Sequence, residues 1–125
     1  FQEGMLSRKD RRHEEAISIR PLPSRGDAPE RWNWDSPLLV SPHDGNRLYF
    51  GSQRLWRSDD RGDSWTPISG DLTLGQPRYA QRFFGRVWSL DALHDTMAMS
   101  KYATTTAITE SPRQAGVLAV GTDDG

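Results

Sequence analysis

The chain has 125 residues, with 16 Lys and Arg against 17 Asp and Glu, a formal charge of −1 and no cysteine. The missing thiols exclude a disulfide scaffold and any Cys-ligated zinc or iron–sulfur site, and the balanced charge argues against a dedicated nucleic-acid binder. Hydrophobic residues are 34% of the chain and occur in short runs, far from the roughly 20 consecutive apolar residues that a spanning helix needs.

The length suits one small domain. Phe1-Gln2-Glu3-Gly4 has no initiator methionine, and Gly121-Thr122-Asp123-Asp124-Gly125 stops on a turn signal, so both ends read as cuts through a longer pattern. Residues 1–23 begin with Met5-Leu6, continue through the charged stretch Arg8 to Glu15, and end on the alternating run Ala16-Ile17-Ser18-Ile19-Arg20. This pattern predicts strand, charged turn, strand, with Ile17 and Ile19 on one face; a charged helix over 7–16 is the alternative. Residues 24–35 form a connecting loop in a Pro-, Gly- and charge-rich stretch.

Residues 36–69 read as four consecutive strands. Ser36 to Ser41 is a buried strand, ended by Pro42 and the turn cluster His43-Asp44-Gly45-Asn46. Leu48 to Gly51, Leu55 to Ser58 and Ser64 to Ser69 follow, and Pro67 marks the last as an edge strand because proline cannot donate to a ladder. Residues 70–102 break the rhythm. Val87, Leu90, Leu93 and Met97 recur at helical spacing, and the stretch reads as a partly helical insertion. Residues 103–125 return to strand.

The chain repeats itself. Laid over residues 108–122, residues 38–52 match without a gap: Leu38 falls on Ile108, Ser41-Pro42 on Ser111-Pro112, Leu48 on Leu118, Phe50 on Val120 and Gly51 on Gly121. Repeated four-stranded units of this size point to blades of a β-propeller, whose two apolar faces must be covered by neighbours. The expected fold is therefore all-β. It is a partial propeller with one full blade (36–69), halves of two neighbours (1–23 and 103–125) and a short helical insertion. At four or more blades per ring the chain cannot close alone, so the remaining blades come from the same polypeptide or another chain.

One motif is more specific. Ser58-Asp59-Asp60-Arg61-Gly62-Asp63-Ser64-Trp65 fits Ser-x-Asp-x-Gly-x-Ser/Thr-Trp between two predicted strands. Asp60 can accept turn amides, Gly62 can supply a positive φ, and Trp65 can bury a large ring while its indole N–H finds an acceptor. The octapeptide resembles the Asp-box, or BNR repeat, of sialidases, sortilin-type propellers and xyloglucan-cutting propeller glucanases. With Arg31 to Pro37, Ser41-Pro42-His43 and Ser111-Pro112 through Gly125, residues 5–125 resemble large bacterial sortilin-like proteins labelled glycosyl hydrolases. The resemblance implies further blades on both sides, favours an exported protein, and makes Ser58, Asp60, Gly62, Ser64 and Trp65 structural rather than catalytic.

Sites for chemistry are sparse. No arrangement of Tyr49, Tyr79 and Tyr102 with acids matches the Tyr/Glu, Asp and three-Arg set that the sialidase resemblance implies. A glycosidase needs two carboxylates across a cleft. Asp35, before the innermost predicted strand, and Asp91 in the insertion are the candidates, against plain roles as a turn cap and a first-turn acid. Arg31, Trp32 and Trp34 could hold a sugar or a protein partner, or could pack on a neighbouring blade. The stretch 78–88 interleaves Arg78, Arg82 and Arg86 with aromatics, as a binding surface or as an amphipathic cover. His13, His43 and His94 show no metal-ligand spacing, no cofactor is implied, and the two Arg-Gly-Asp tripeptides, at 25–27 and 61–63, read as chance. The composite expectation is a non-catalytic binding or scaffold module for a protein or glycan, with a carbohydrate-active hydrolase whose acids lie mostly elsewhere as the rival.

Overall fold

The computed structural model describes residues 2–88 and 101–125. The described chain is all-β, and its ten strands pair antiparallel in four separate sheets. The N-terminal hairpin pairs β1 (Ser7–Lys9) with β2 (Ala16–Ser18) across the charged turn. At the centre lies a four-stranded meander of β3 (Leu38–Val40), β4 (Leu48–Gly51), β5 (Leu55–Ser58) and β6 (Thr66–Pro67), in that order. Pro67 stands on an edge strand, where its missing N–H breaks no ladder. A short hairpin, β7 (Arg82–Phe83) with β8 (Arg86–Val87), precedes the C-terminal pair β9 (Thr105–Glu110) and β10 (Leu118–Thr122).

The meander is apolar on both faces. Alternation puts Phe50 and Trp56 on one side and Tyr49 on the other. Phe50 stacks on Trp32 with ring centroids 4.8 Å apart, and Leu6 and Trp65 close the same cluster. On the opposite face, β9 lies across β3 and β4. There the Tyr49 hydroxyl donates to buried Glu110, and Gly51 lets the two sheets approach: a Cβ at that position would fall 2.9 Å from Pro37 Cγ and 3.2 Å from Ile108.

The two flanking hairpins repeat the geometry of the meander. Shifted by 70 residues, the β3–β4 register (Leu38↔Phe50, Leu39↔Tyr49, Val40↔Leu48) becomes that of β9–β10 (Ile108↔Val120, Thr109↔Ala119, Glu110↔Leu118). Turn bonds recur with it: Ser41 N to Arg47 O at 2.9 Å matches Ser111 N to Val117 O at 2.8 Å. Shifted by 49, β1–β2 becomes β5–β6: Ser7↔Ser18 falls on Trp56↔Pro67, and Arg8↔Ile17 on Arg57↔Thr66. Just beyond, Ile19 N to Leu6 O at 3.0 Å matches Ile68 N to Leu55 O at 2.9 Å. The N-terminal hairpin is thus the counterpart of the second half of the meander, and the C-terminal hairpin of its first half.

One expectation is corrected. Residues 36–41 do not form a fully buried strand, since Leu38 and Val40 are 46% and 53% exposed. The N-terminal hairpin touches the loop 58–65 through Arg8 and Ile19 and leaves β3 open. The described part of 70–102 holds one 3-10 turn (Arg78–Ala80) and the β7–β8 hairpin, and Val87 stands in strand β8. Leu90, Leu93 and Met97 lie outside the described residues, as do Asp91 and His94.

A buried ion pair fixes the loop before β3 to the β4–β5 turn. Glu30, 4% exposed, accepts from Ser52 Oγ at 2.6 Å and from Arg54 Nε at 2.9 Å, while the Arg54 guanidinium covers Trp56. Removing one partner strands the other charge in a dry site. Arg54→Ala is therefore expected to destabilise by about 3–5 kcal/mol, measured by urea unfolding. A loss near that of an ordinary surface substitution would show the pair to be dispensable.

Candidate functional site

The meander has two ends. One carries the β1–β2 turn, the β3–β4 turn, the loop 58–65 and the β9–β10 turn; the other carries the loop before β3, the β4–β5 turn and everything between β6 and β9.

At the first end, Ser58 to Trp65 forms a closed hydrogen-bonded turn. Buried Ser58 Oγ donates to Asp60 Oδ1 at 2.7 Å and accepts from Gly62 N at 2.7 Å. Asp60 also accepts from the amide and hydroxyl of Ser64, at 2.9 and 2.5 Å. Gly62 has φ +93°, and a Cβ there would fall 2.6 Å from Ile19 Cδ1, so the position excludes a side chain on two grounds. Half-buried Trp65 donates its indole N–H to Ile19 O at 2.6 Å, while its ring lies 6.2 Å from Phe50. All five motif residues are thus occupied in building the turn and fastening it to the N-terminal hairpin.

The surrounding charges are engaged as well. Arg8 donates to Arg61 O and Asp63, and Arg47 and Arg57 both reach Asp59. An open charged cleft between the β1–β2 turn and this loop is lined by such paired groups, together with Arg11 and Arg12. The Ser64 hydroxyl, then the Ser64 amide and the Ser58 hydroxyl, hold the Asp60 carboxyl down to about 2 from its ordinary 3.8. Arg47 lowers Asp59 in the same way. Burial raises Glu110, but the Ser41 hydroxyl, the Gly116 amide and Tyr49 outweigh it. Among the described residues, every carboxylate with a displaced pKa is displaced downward. That suits anions built into turns and ion pairs, not a general acid held protonated at neutral pH.

The second end holds the remaining candidates. Trp32 is 1% exposed and is a core residue, so its ring is closed to a ligand. Arg31 ties three segments together, donating to Ala103 O at 3.0 Å, to Asp71 at 2.5 Å and to Thr73 at 3.1 Å. Trp34, 45% exposed, remains on the surface. Asp35 is exposed and its amide donates to Asn33 Oδ1 at 3.0 Å, so the side chain that caps this Asx turn before β3 is Asn33. Arg86 lies 3.5 Å over the Trp88 ring at the base of a hairpin whose turn residue Phe84 is fully exposed. Tyr79 and Leu74 add exposed apolar surface nearby in the chain. Tyr79 and Phe84 belong to the stretch 78–88 that the sequence marked as a binding surface or an amphipathic cover, whereas Leu74 carries no pattern that singled it out. Among the described residues no group of His and acids is placed to hold a metal ion, and no helix is long and apolar enough to cross a membrane.

Comparison with known proteins finds no family model that matches the chain, and no significant match among curated proteins or solved structures.

Two outcomes are expected at the turn. Trp65→Ala should destabilise by about 3 kcal/mol, the low end for a large aromatic because the ring is half-buried. A change under about 1 kcal/mol in chemical denaturation would mean that the ring does not anchor the hairpin. The carboxyl of Asp60 binds protons less readily folded than unfolded, so its stabilisation is complete above the ordinary carboxylate range and declines as pH falls from about 5 toward 2. Asp60→Asn should flatten that part of the stability–pH curve, and an unchanged acid limb would exclude this carboxylate as its source.

Proposed function

We propose that the chain is part of an Asp-box β-propeller and serves as a non-catalytic binding or scaffold module for a protein or glycan. The repeat carries this reading. One four-stranded unit is flanked by the second half of an identical hydrogen-bond pattern on one face and by the first half on the other. Successive copies of one sheet stacked face to face in constant order are what a propeller's blades require. The loop 58–65, with its Ser, Asp and Gly joined by hydrogen bonds and its Trp anchored on Ile19, supports the resemblance to the Asp-box.

The binding reading rests on the second end of the sheets. Trp34, Tyr79 and Phe84 are exposed on the segments that precede β3 and follow β6, and Arg82 and Arg86 flank Phe84 in the chain. Aromatic rings with arginine neighbours suit stacking on sugar rings or anchoring a protein segment. The rival glycoside hydrolase needs a carboxylic acid with raised pKa opposite a second carboxylate. The downward shifts described above favour binding.

The test is a glycan array and a displayed peptide library probed with the intact chain. Saturable binding to one class should weaken at least about tenfold in a Trp34→Ala/Phe84→Ala variant that keeps its near-ultraviolet circular dichroism, as for loss of an aromatic anchor. Release of reducing sugar from a polysaccharide, abolished by Asp35→Asn, would overturn the reading in favour of the hydrolase.

A further inference from the structure

We propose that the charged cleft at the first end of the sheets binds a saccharide carrying a sulfate or phosphate ester, with Arg11, Arg12 and Arg61 on the ester oxygens. This site is distinct from the exposed aromatics before β3 and after β6, and it does not depend on the repeated-blade reading. The cleft has a volume of about 850 Å³, within the roughly 300–1,000 Å³ of ligand sites. One wall is the β1–β2 turn and the other the loop 58–65, and both turns are closed by strand pairs within the chain.

Its lining holds five cations, Arg8, Lys9, Arg11, Arg12 and Arg61, and four carboxylates. Every carboxylate is already engaged. Asp10 takes the Arg12 amide and the His13 ring, Asp60 takes Ser58 and Ser64, and Asp63 takes Arg8 at 2.7 Å. Asp59 is met by Arg47 and Arg57, neither of which lines the cleft. The cations are not used up in the same way. The guanidinium groups of exposed Arg11 and Arg12 make no hydrogen bond or ion pair among the described residues. Arg61 is held by its amide on Asn46 O at 2.9 Å and its Nε on Asn46 Oδ1 at 2.7 Å, which leaves both Nη groups for a ligand. The free charge of the cleft is therefore positive, and guanidinium forks match the oxygens of a phosphate or sulfate.

The repeat gives an independent pointer. At the offset of 49, Lys9 stands where the other loop has Ser58, and Arg11 where it has Asp60. The hairpin keeps the strand register but exchanges the hydroxyl and the carboxylate that close the 58–65 turn for two cations. Neither cation repays its own turn: Arg11 has no partner among the described residues, and Lys9 has only exposed Glu14 at 3.6 Å. Both instead line the cleft.

The rest of the lining selects the ligand class. It contains no apolar or aromatic side chain. A nucleic-acid strand finds no ring there for its bases, and a protein segment finds no pocket for an apolar anchor. Four carboxylates beside the cations repel a densely charged chain, whereas they and Asn46 can hydrogen-bond hydroxyls. A hydroxyl-rich molecule with one isolated ester fits both sets of groups.

The test titrates the chain with galactose 6-sulfate, galactose 6-phosphate and plain galactose, following backbone amide and arginine Nε–H resonances. Saturable shifts at Arg11, Arg12 and Arg61 are expected with an ester and not with galactose, and the tighter ester identifies the source of the oxyanion. Arg11→Gln/Arg12→Gln, at two exposed turn positions, should weaken that binding at least about tenfold, the loss of one charge-assisted pair. Arg11→Lys/Arg12→Lys should restore only part of it, because an ammonium cannot form the fork. Raising ionic strength from about 0.01 to 0.15 M should weaken it severalfold. The proposal fails if neither ester gives saturable shifts, or if Arg11→Gln/Arg12→Gln leaves them unchanged. Inorganic sulfate binding as tightly as the sugar ester removes the saccharide, and tighter binding of an acidic peptide or an oligonucleotide overturns the ligand class.

Discussion

A sheet with apolar side chains on both faces cannot stand alone in water, and the rest of this molecule follows from that constraint. Phe50 and Trp56 point one way from the meander and Tyr49 the other. Each face must be roofed: β9 lies across β3 and β4 on one, and Trp32, Leu6 and Trp65 close over Phe50 and Trp56 on the other, with Trp32 reaching in from a loop to stack on Phe50. On the other side the cover is closer, because Gly51 removes a side chain at the point of nearest approach to β9. Some polar groups trapped by this packing find partners locally, Tyr49 on Glu110 and Ser52 and Arg54 on Glu30, while the Trp32 indole N–H and Glu110 Oε2 are buried without one. Burial thus comes first, and the ion pairs answer the cost it creates for groups that cannot leave.

The loop 58–65 solves a different problem, that of reversing the chain at a sheet's end while leaving few polar groups unpaired. A two-residue hairpin would reverse it with less chain but would bring no anchor. Here one carboxylate gathers two hydroxyls and an amide, a glycine takes the backbone through positive φ, and an indole reaches sideways to the next sheet. The equivalent loop of the N-terminal hairpin, residues 9–16, has the same length but keeps none of the serines, the glycine or the tryptophan. Asp10 there gathers the Arg12 amide and the His13 ring instead, and His13 lowers its pKa first among its neighbours. The strand pairing is the same in both, so pairing and turn chemistry are separable. The tryptophan's task is to fasten one sheet to the next.

That separation explains what was legible in the sequence. The strands β4 and β5 could be read to the residue, because Leu48 to Gly51 and Leu55 to Ser58 combine apolar alternation with flanking turn residues. The 70-residue repeat was legible because Ser-Pro and the terminal Gly recur at fixed places. The 49-residue repeat was not. Leu6, Arg8, Asp10, Arg12 and Ile19 do fall on Leu55, Arg57, Asp59, Arg61 and Ile68, but the turn between them has had its chemistry replaced. The exposure of Leu38 and Val40 was equally illegible, since an apolar run looks the same whether its neighbour is present or missing. Trp32 and Trp34 share a spacing and differ in burial for the same reason. Only the position of the covering sheets decides which ring is roofed.

Function divides along the same line. Residues whose identity follows from backbone geometry, such as Gly62 and Asp60, announce themselves by pattern and are used up in structure. Arg31 had the look of a binding residue, yet its guanidinium is spent joining residues 71, 73 and 103. What remains available to a partner is the surface that no internal contact claims. Phe84 is fully exposed, and Trp34 and Tyr79 are each about half exposed, at 45% and 49%. A fully exposed phenylalanine on a two-residue turn gains nothing from water and adds nothing to the core. It is the side chain on which the proposed binding reading depends most.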